Sequence, residues 1–133
     1  MKHISKASWV ELGGKRFYTK SLAEKRFAMY LQYLKEHNEI KDYEYEPETF
    51  WFLEIKRGVR SYKPDFKVIR LDDKHFFVEI KGYMDAKSAT KIKRFAKYYP
   101  NETLKVIKSD GISKNAAILK GLILNFSKLY PND

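Results

Sequence analysis

Two acids and a lysine near the middle of the chain have the types and spacing of a hydrolytic metal site. Asp65 follows Pro64, and further along Glu79 and Lys81 are separated by one residue. Adjacent carboxylates repel unless a cation lies between them, and oxygen ligands favour a hard dication such as Mg²⁺ or Mn²⁺. A lysine beside such an ion can position water or stabilise charge on a phosphate oxygen. These residues therefore indicate phosphodiester chemistry, or else an ordinary cross-strand ion pair on a solvent face.

The strand register decides whether the two acids meet. The predicted antiparallel pair comprises residues 66–70 and 75–80. Pairing Phe66 with Val78 gives a continuous apolar surface and leaves a three-residue loop. Because side chains alternate along a strand, the same register places Asp65 beside Glu79 on the opposite face, with Lys81 next along. The apolar pattern and the pairing of the acids therefore agree on one register.

A fourth acid, Glu24, lies at the start of the first predicted helix. Ser21 to Glu24 form a capping box, and apolar residues at helical spacing predict a helix from about 22 to 37. Glu24 borders the inward face of this helix, from which it could reach over the sheet edge to the other acids. Capping alone also explains an acid at this position, so both roles remain open.

These positions resemble the PD-(D/E)XK nuclease superfamily. In that superfamily an acid on a first helix, a Pro-Asp at a strand start and an acid-X-Lys on the next strand form a metal site. The matching residues here are Glu24, Asp65, Glu79 and Lys81. The resemblance covers roughly residues 21–108 and extends to small phage nucleases of the endonuclease I type, which resolve Holliday junctions. Residues 45–62 depart from that type, because they predict a plain strand pair rather than an intersubunit bridge.

The resemblance implies an α/β fold with a restriction-endonuclease-like core, a mixed central β-sheet flanked by helices in the order α-β-β-β-α-β-α. It implies Mg²⁺-dependent hydrolysis of DNA, with Mn²⁺ as a substitute and a 5′-phosphate on the product. Glu24, Asp65, Glu79 and the backbone carbonyl of Ile80 would be metal ligands, with Lys81 beside the attacking water. Branched DNA is the favoured substrate. The alternatives are a restriction-like or nicking endonuclease on duplex DNA, and a catalytically inactive nucleic-acid-binding module.

The charge balance also favours a nucleic-acid partner. Lysine and arginine number 27 against 17 acids, a formal net charge of +10, which attracts polyanions but also serves solubility. A predicted helix capped by Asp85 and ending near Tyr98 has no acid, with Ile92 and Ala96 among its inward positions. The predicted DNA contacts are Lys87, Lys91, Lys93, Arg94 and Lys97, with Tyr83 and Tyr62 as candidate base-stacking residues. A solvated basic face and packed tyrosines are the simpler alternatives.

The remaining segments predict one domain over residues 1–133. Residues 1–20 are expected to be a basic N-terminal arm, either loose or a short strand. Residues 104–107 predict a short buried strand, and 113–129 a C-terminal helix. The broad apolar surface of that helix predicts either a homodimer interface or a face covered by the N-terminal arm.

Composition excludes several classes of protein. There is no cysteine, hence no disulfide framework, thiolate zinc site or cysteine nucleophile. No apolar stretch approaches the roughly 20 residues that span a bilayer, and no secretory signal is readable, so no membrane partner and a cytoplasmic location are expected, in the host cell if the protein is phage-encoded.

Overall fold

The computed structural model describes residues 7–108, which form an α/β fold with a mixed sheet. Its elements in chain order are β1 (Ser8–Leu12), β2 (Lys15–Thr19), α1 (Leu22–Glu36), β3 (Asp42–Tyr45), β4 (Phe50–Trp51), β5 (Ser61–Tyr62), β6 (Phe66–Ile69), β7 (His75–Lys81), α2 (Ala86–Tyr98) and β8 (Leu104–Lys108). The predicted class is thus confirmed at the level of an α/β fold. Five strands, rather than the three of the predicted order, separate α1 from α2.

The central sheet has four strands in the order β3-β6-β7-β8. The β3–β6 and β6–β7 pairs are antiparallel, and β8 runs parallel to β7 because α2 carries the chain across between them. Among the described residues β8 is an edge strand, in which Ile107 is buried and Val106 is exposed. The predicted strand at 104–107 is confirmed, but it is buried only in part, because a short run of residues does not tell an edge strand from a central one.

Helix α1 covers one face of the sheet. Ser21 caps its N-terminus, where its hydroxyl accepts a hydrogen bond from the Glu24 backbone N–H at 3.1 Å. Phe27 and Leu31, one turn apart, are fully buried against Phe66 and Val68 of β6. The predicted helix of about 22 to 37 is confirmed to within a residue at its C-terminal end.

The opposite face is covered by α2 and by the β4–β5 pair. Phe50 lies edge-on to Phe77 of β7 at 5.2 Å and to Phe95 of α2 at 4.8 Å between ring centroids. Asp85 caps α2 as predicted, accepting from the Ser88 backbone N–H. The inward assignment of Ala96 was wrong, since this residue is exposed. Because both faces of the sheet are buried, the buried stretch of β7 is apolar at Phe76, Phe77, Val78 and Ile80, and its one buried acid, Glu79, is conspicuous.

The β6–β7 hairpin adopts the predicted register. Phe66 pairs with Val78 and Val68 with Phe76. Residues 71–73 form the loop, which is closed by a hydrogen bond from the Arg70 backbone N–H to the Lys74 carbonyl and has its last residue in the left-handed region. The register confirmed here determines which side chains reach the end of the sheet.

Residues 8–19 form an antiparallel hairpin, β1–β2, where a loose arm or a short strand was expected. The two-residue turn at Gly13 and Gly14 has positive φ at both positions, a conformation that glycine adopts without strain and that matches the twist of paired strands. Within this hairpin, the side chains of Val10 and Thr19 are buried. Residues 1–6 and the predicted helix 113–129 lie outside the described residues.

No helix within residues 7–108 is both long and apolar enough to cross a membrane.

Candidate active site

The candidate site lies at one end of the central sheet. Strand β6 begins there just after Asp65, and antiparallel β7 ends there with Glu79 and Lys81. Strand β3 also ends there, and the first turn of α1 brings Glu24 to the same place. Three carboxylates from three separate elements therefore lie near one another, together with the lysine that the sequence indicated.

Asp65 and Glu79 form the buried centre of this group. Their side chains and backbone leave only 3% and 6% of each residue exposed. Asp65 accepts a hydrogen bond at Oδ2 from the backbone N–H of Ile80, at 2.7 Å, which fixes it beside the β7 strand next to Glu79. The adjacency that the register predicts is thus present in the fold.

Tyr62 holds Glu79 from the β5 side. The Tyr62 hydroxyl donates to Glu79 Oε1 at 2.6 Å, and Lys81 Nζ lies 3.4 Å from the other oxygen, Oε2. Burial, then the charge of Glu79 and this hydrogen bond, raise the pKa of the Tyr62 hydroxyl, so the proton stays on the phenol. Tyr62 is itself buried. The alternative prediction of a packed tyrosine is therefore correct, and the prediction that this ring stacks on a base is wrong.

Glu24 is held by a second tyrosine. The Tyr45 hydroxyl donates to Glu24 Oε1 at 2.6 Å, and the Lys20 backbone N–H donates to the same oxygen at 3.2 Å. Only one of the two hydrogen bonds of the expected capping box is present, from the Glu24 backbone N–H to the Ser21 hydroxyl. The Glu24 carboxylate accepts from the backbone N–H of Lys20 instead of that of Ser21. The two roles considered for Glu24 are therefore compatible, because its carboxylate accepts a backbone hydrogen bond at the helix start and also lies near the other acids.

Two charged residues at the site were not singled out from the sequence. Lys20 Nζ lies 3.0 Å from Glu46 Oε2 and 3.8 Å from Asp65 Oδ1. Partial desolvation disfavours its charged form, but the hydrogen bond to Glu46 and the charges of Asp65 and Glu24 raise the pKa of Lys20 nonetheless. Lys20 precedes a helix cap and Glu46 precedes a proline, so in sequence both resemble ordinary loop residues.

The electrostatics of Asp65 are those of a carboxylate among carboxylates. Burial, then the charges of Glu79 and Glu24, raise its pKa to about 8, against smaller opposing effects of the Ile80 N–H and Lys20. A shift of this direction in a buried group beside specific charged partners is typical of functional sites, although structural networks also produce it.

The donor chemistry of this cluster fits a hard dication, but no cage is preformed. Carboxylate oxygens at one end of a sheet are the ligands that Mg²⁺ prefers, and a cation would relieve the repulsion that raises the pKa of Asp65. Within residues 7–108 no group of three or more histidine, cysteine, aspartate or glutamate side chains is already arranged around a metal position. One oxygen of Glu24 and one of Glu79 accept hydrogen bonds from the Tyr45 and Tyr62 hydroxyls.

The predicted DNA contacts lie on α2 and on the segment between β7 and α2. Tyr83 is 80% exposed, and Lys87, Lys93 and Lys97 are also exposed. Arg94 differs, because its guanidinium donates to the Val59 carbonyl and ties α2 to the segment before β5. Lys91 is half-buried. The helix thus presents lysines to solvent, whereas Arg94 has a structural contact as well.

Comparison with known proteins gives a family without an assigned activity. A family model described as "Protein of unknown function (DUF1064)" matches residues 2–114. The chain belongs to this family. No curated protein and no solved structure matches this DUF1064 chain.

Proposed function

We propose that this DUF1064 protein is a Mg²⁺-dependent DNA endonuclease of the PD-(D/E)XK type, with branched DNA as its favoured substrate. The observation that carries the proposal is the buried Asp65–Glu79 pair, held side by side with Lys81 Nζ 3.4 Å from Glu79. Burying like charges costs free energy, and proteins retain such arrangements mainly where they bind a cation or perform chemistry.

Each residue has a role that follows from its position. Asp65, Glu79 and the Ile80 carbonyl would hold the metal from β6 and β7, and Glu24 would complete the set from α1. When bound, Mg²⁺ would supply Lewis-acid stabilisation of the charge that develops on the scissile phosphate. The Lys81 ammonium, 3.4 Å from Glu79 Oε2, would orient the attacking water or pair with a phosphate oxygen.

The exposed lysines of α2 support DNA as the polyanion. Their helix has no acid between residues 86 and 98, so phosphates that follow it meet no opposing charge from this element. Such contacts position a strand without reading its sequence. A homodimer through residues 113–129 remains part of the proposal, and its elements lie outside the described residues.

The decisive experiment is a substrate panel with a matched pair of variants. The protein is incubated with a four-way junction, a supercoiled plasmid and single strands, with Mg²⁺ or with EDTA. We expect selective cutting of the junction in Mg²⁺ and none in EDTA. Glu79→Gln should lower the cleavage rate by at least about a thousandfold while DNA binding in EDTA persists. Glu44→Gln, an exposed glutamate on β3, is the control and should cut at the wild-type rate.

The other outcomes discriminate the alternatives. Unselective cutting of the plasmid would replace junction cleavage with a restriction-like or nicking activity. Binding without cleavage would indicate an inactive nucleic-acid-binding module. Full cleavage by Glu79→Gln would remove the site assignment.

A further inference from the structure

The outer face of the β1–β2 hairpin carries two exposed aromatic rings and a cation. Trp9 and Tyr18 are register partners, 58% and 47% exposed, with ring centroids 5.4 Å apart in an edge-on arrangement. The Arg16 guanidinium lies over the Trp9 ring, 4.5 Å from its centroid. Large aromatic rings that cluster on a surface, instead of entering the core, are the usual components of a recognition surface.

The alternation of the hairpin separates this face from the core. Val10 and Thr19 are buried on the inner side, and Leu12 and Phe17 pack against the α1 core. The outward position of Trp9 and Tyr18 is therefore fixed by the strand period and by the burial of their neighbours. The rings are presented by a rigid element, which keeps the cost of ordering them low.

The same face leads into the candidate site. Lys20 follows Tyr18 by two residues, about 7 Å along the chain. Its Nζ lies 3.8 Å from Asp65 Oδ1. A strand whose base contacted Tyr18 would therefore bring a nearby phosphate to Lys20 and the buried acids.

We propose that this hairpin face, defined by Trp9, Arg16 and Tyr18, binds unpaired nucleotides of a DNA strand and guides that strand to the acids. The inference rests on the proposed nuclease function. Aromatic rings stack on bases whose faces are free, and duplex base pairs offer such faces only at ends and branch points. Arg16 and Lys20 match the phosphate charge, with Glu11, the register partner of Arg16, as the one acid on the outer side of β1 and β2.

The first test uses Trp9 as its own reporter. The chain has two tryptophans, so Trp51→Phe leaves Trp9 as the only one. In EDTA, a single-stranded oligothymidine should quench Trp9 emission, and a blunt duplex of equal length should quench it much less. Strand binding, seen by anisotropy of a labelled oligonucleotide, without a change in Trp9 emission would overturn the inference.

The second test compares affinities of matched variants. Trp9→Ala and Tyr18→Ala should each weaken binding of the oligothymidine by about tenfold, whereas Trp9→Phe, which keeps a ring, should stay within about threefold. Tyr33→Ala is the control, because Tyr33 on α1 is also a tyrosine with 47% exposure. Equal effects of Tyr18→Ala and Tyr33→Ala would overturn the inference.

Two further readouts separate competing explanations. In the DNA-free Trp51→Phe protein, acrylamide should quench the emission of Trp9 freely. Protection of Trp9 from acrylamide would mean that another segment or a second copy covers the hairpin face, and would overturn the inference. If the wild type cuts junctions but Trp9→Ala binds strands normally, the hairpin inference fails and the nuclease proposal stands. If no substrate is cut but Trp9 is quenched by single strands, the nuclease proposal fails and the hairpin still binds unpaired DNA.

Discussion

The two ends of the central sheet give a carboxylate opposite electrostatic environments. Asp42 begins β3 at one end, and its Oδ1 lies 2.7 Å from Lys15 Nζ and 3.0 Å from Lys35 Nζ. Partial burial favours the protonated form, but hydrogen bonds from the two lysines and the Tyr43 backbone N–H outweigh it and lower the pKa of Asp42 to about 2. The negative charge of Asp42 is therefore balanced by the two lysines.

Asp65 precedes β6 at the other end and lacks that compensation. Its nearest cation within residues 7–108, Lys20, is 3.8 Å away and also pairs with Glu46, whereas Glu79 and Glu24 add negative charge. Both acids stand next to strands of the same sheet, so the strand itself does not account for the difference. It is set by which charges the neighbouring elements bring. Asp42 stabilises the fold, and Asp65 costs stability that a bound cation would restore.

The largest expected effect is on cleavage. Asp65→Asn should lower the Mg²⁺-dependent rate by at least about a thousandfold, because in the proposed mechanism it removes a negatively charged metal ligand. Asp42→Asn is the matched variant and should retain activity, since its carboxylate lies at the far end of the sheet. Cleavage rates on a four-way junction measure both. Equal losses in the two variants would mean that the two ends do not differ in function.

A smaller effect is expected when the tyrosine that positions Glu79 is changed. Tyr62→Phe removes the 2.6 Å hydrogen bond to Glu79 but keeps the ring in the core. Loss of a group that orients a ligand costs about 10- to 100-fold in metal affinity. Calorimetric titration with Mn²⁺ measures this, with Tyr43→Phe as a control, because that buried hydroxyl donates to Gln32 away from the acids. Unchanged affinity in Tyr62→Phe would show that Tyr62 does not orient a ligand.

The smallest effects are on stability and have opposite signs at the two ends. In EDTA, the raised pKa of Asp65 means that the folded state binds its proton more tightly, so this group lowers stability as pH rises from about 4 to 8. The lowered pKa of Asp42 contributes stability above about pH 4 that is lost as pH falls toward 2.

Urea unfolding at a series of pH values tests this contrast. At pH 8, the free energy of unfolding of Asp65→Asn should be about 1–2 kcal/mol higher than that of the wild type. The decline in stability of the wild type between pH 4 and 8 should be absent in this variant. Asp42→Asn should lose about 0.5–1 kcal/mol at neutral pH, the usual range for partly exposed ion pairs. Glu44→Gln should stay within about 0.5 kcal/mol. A loss of stability in Asp65→Asn at pH 8 would contradict the assignment of uncompensated charge.

Local patterns predicted the elements that frame the site. The Ser21 and Asp85 caps mark both helices, and the apolar pairing of Phe66 with Val78 correctly predicted the register that places Asp65 beside Glu79. These features succeed because caps and cross-strand pairs depend on residues a few positions apart or joined by a short loop. The β1–β2 hairpin was not predicted, because its strands are short and have a weak apolar alternation.

The sequence by itself determined the two helices, the central hairpin and the pairing of two acids, since each follows from short-range periodicity. Only the tertiary structure decided that Lys20 and Glu46 join the site, that Tyr62 is a buried donor to Glu79 instead of a stacking ring, and that Asp42 and Asp65 differ in charge balance. The reason is physical: Coulomb energy and burial depend on distances between elements far apart in the chain, which no local pattern encodes.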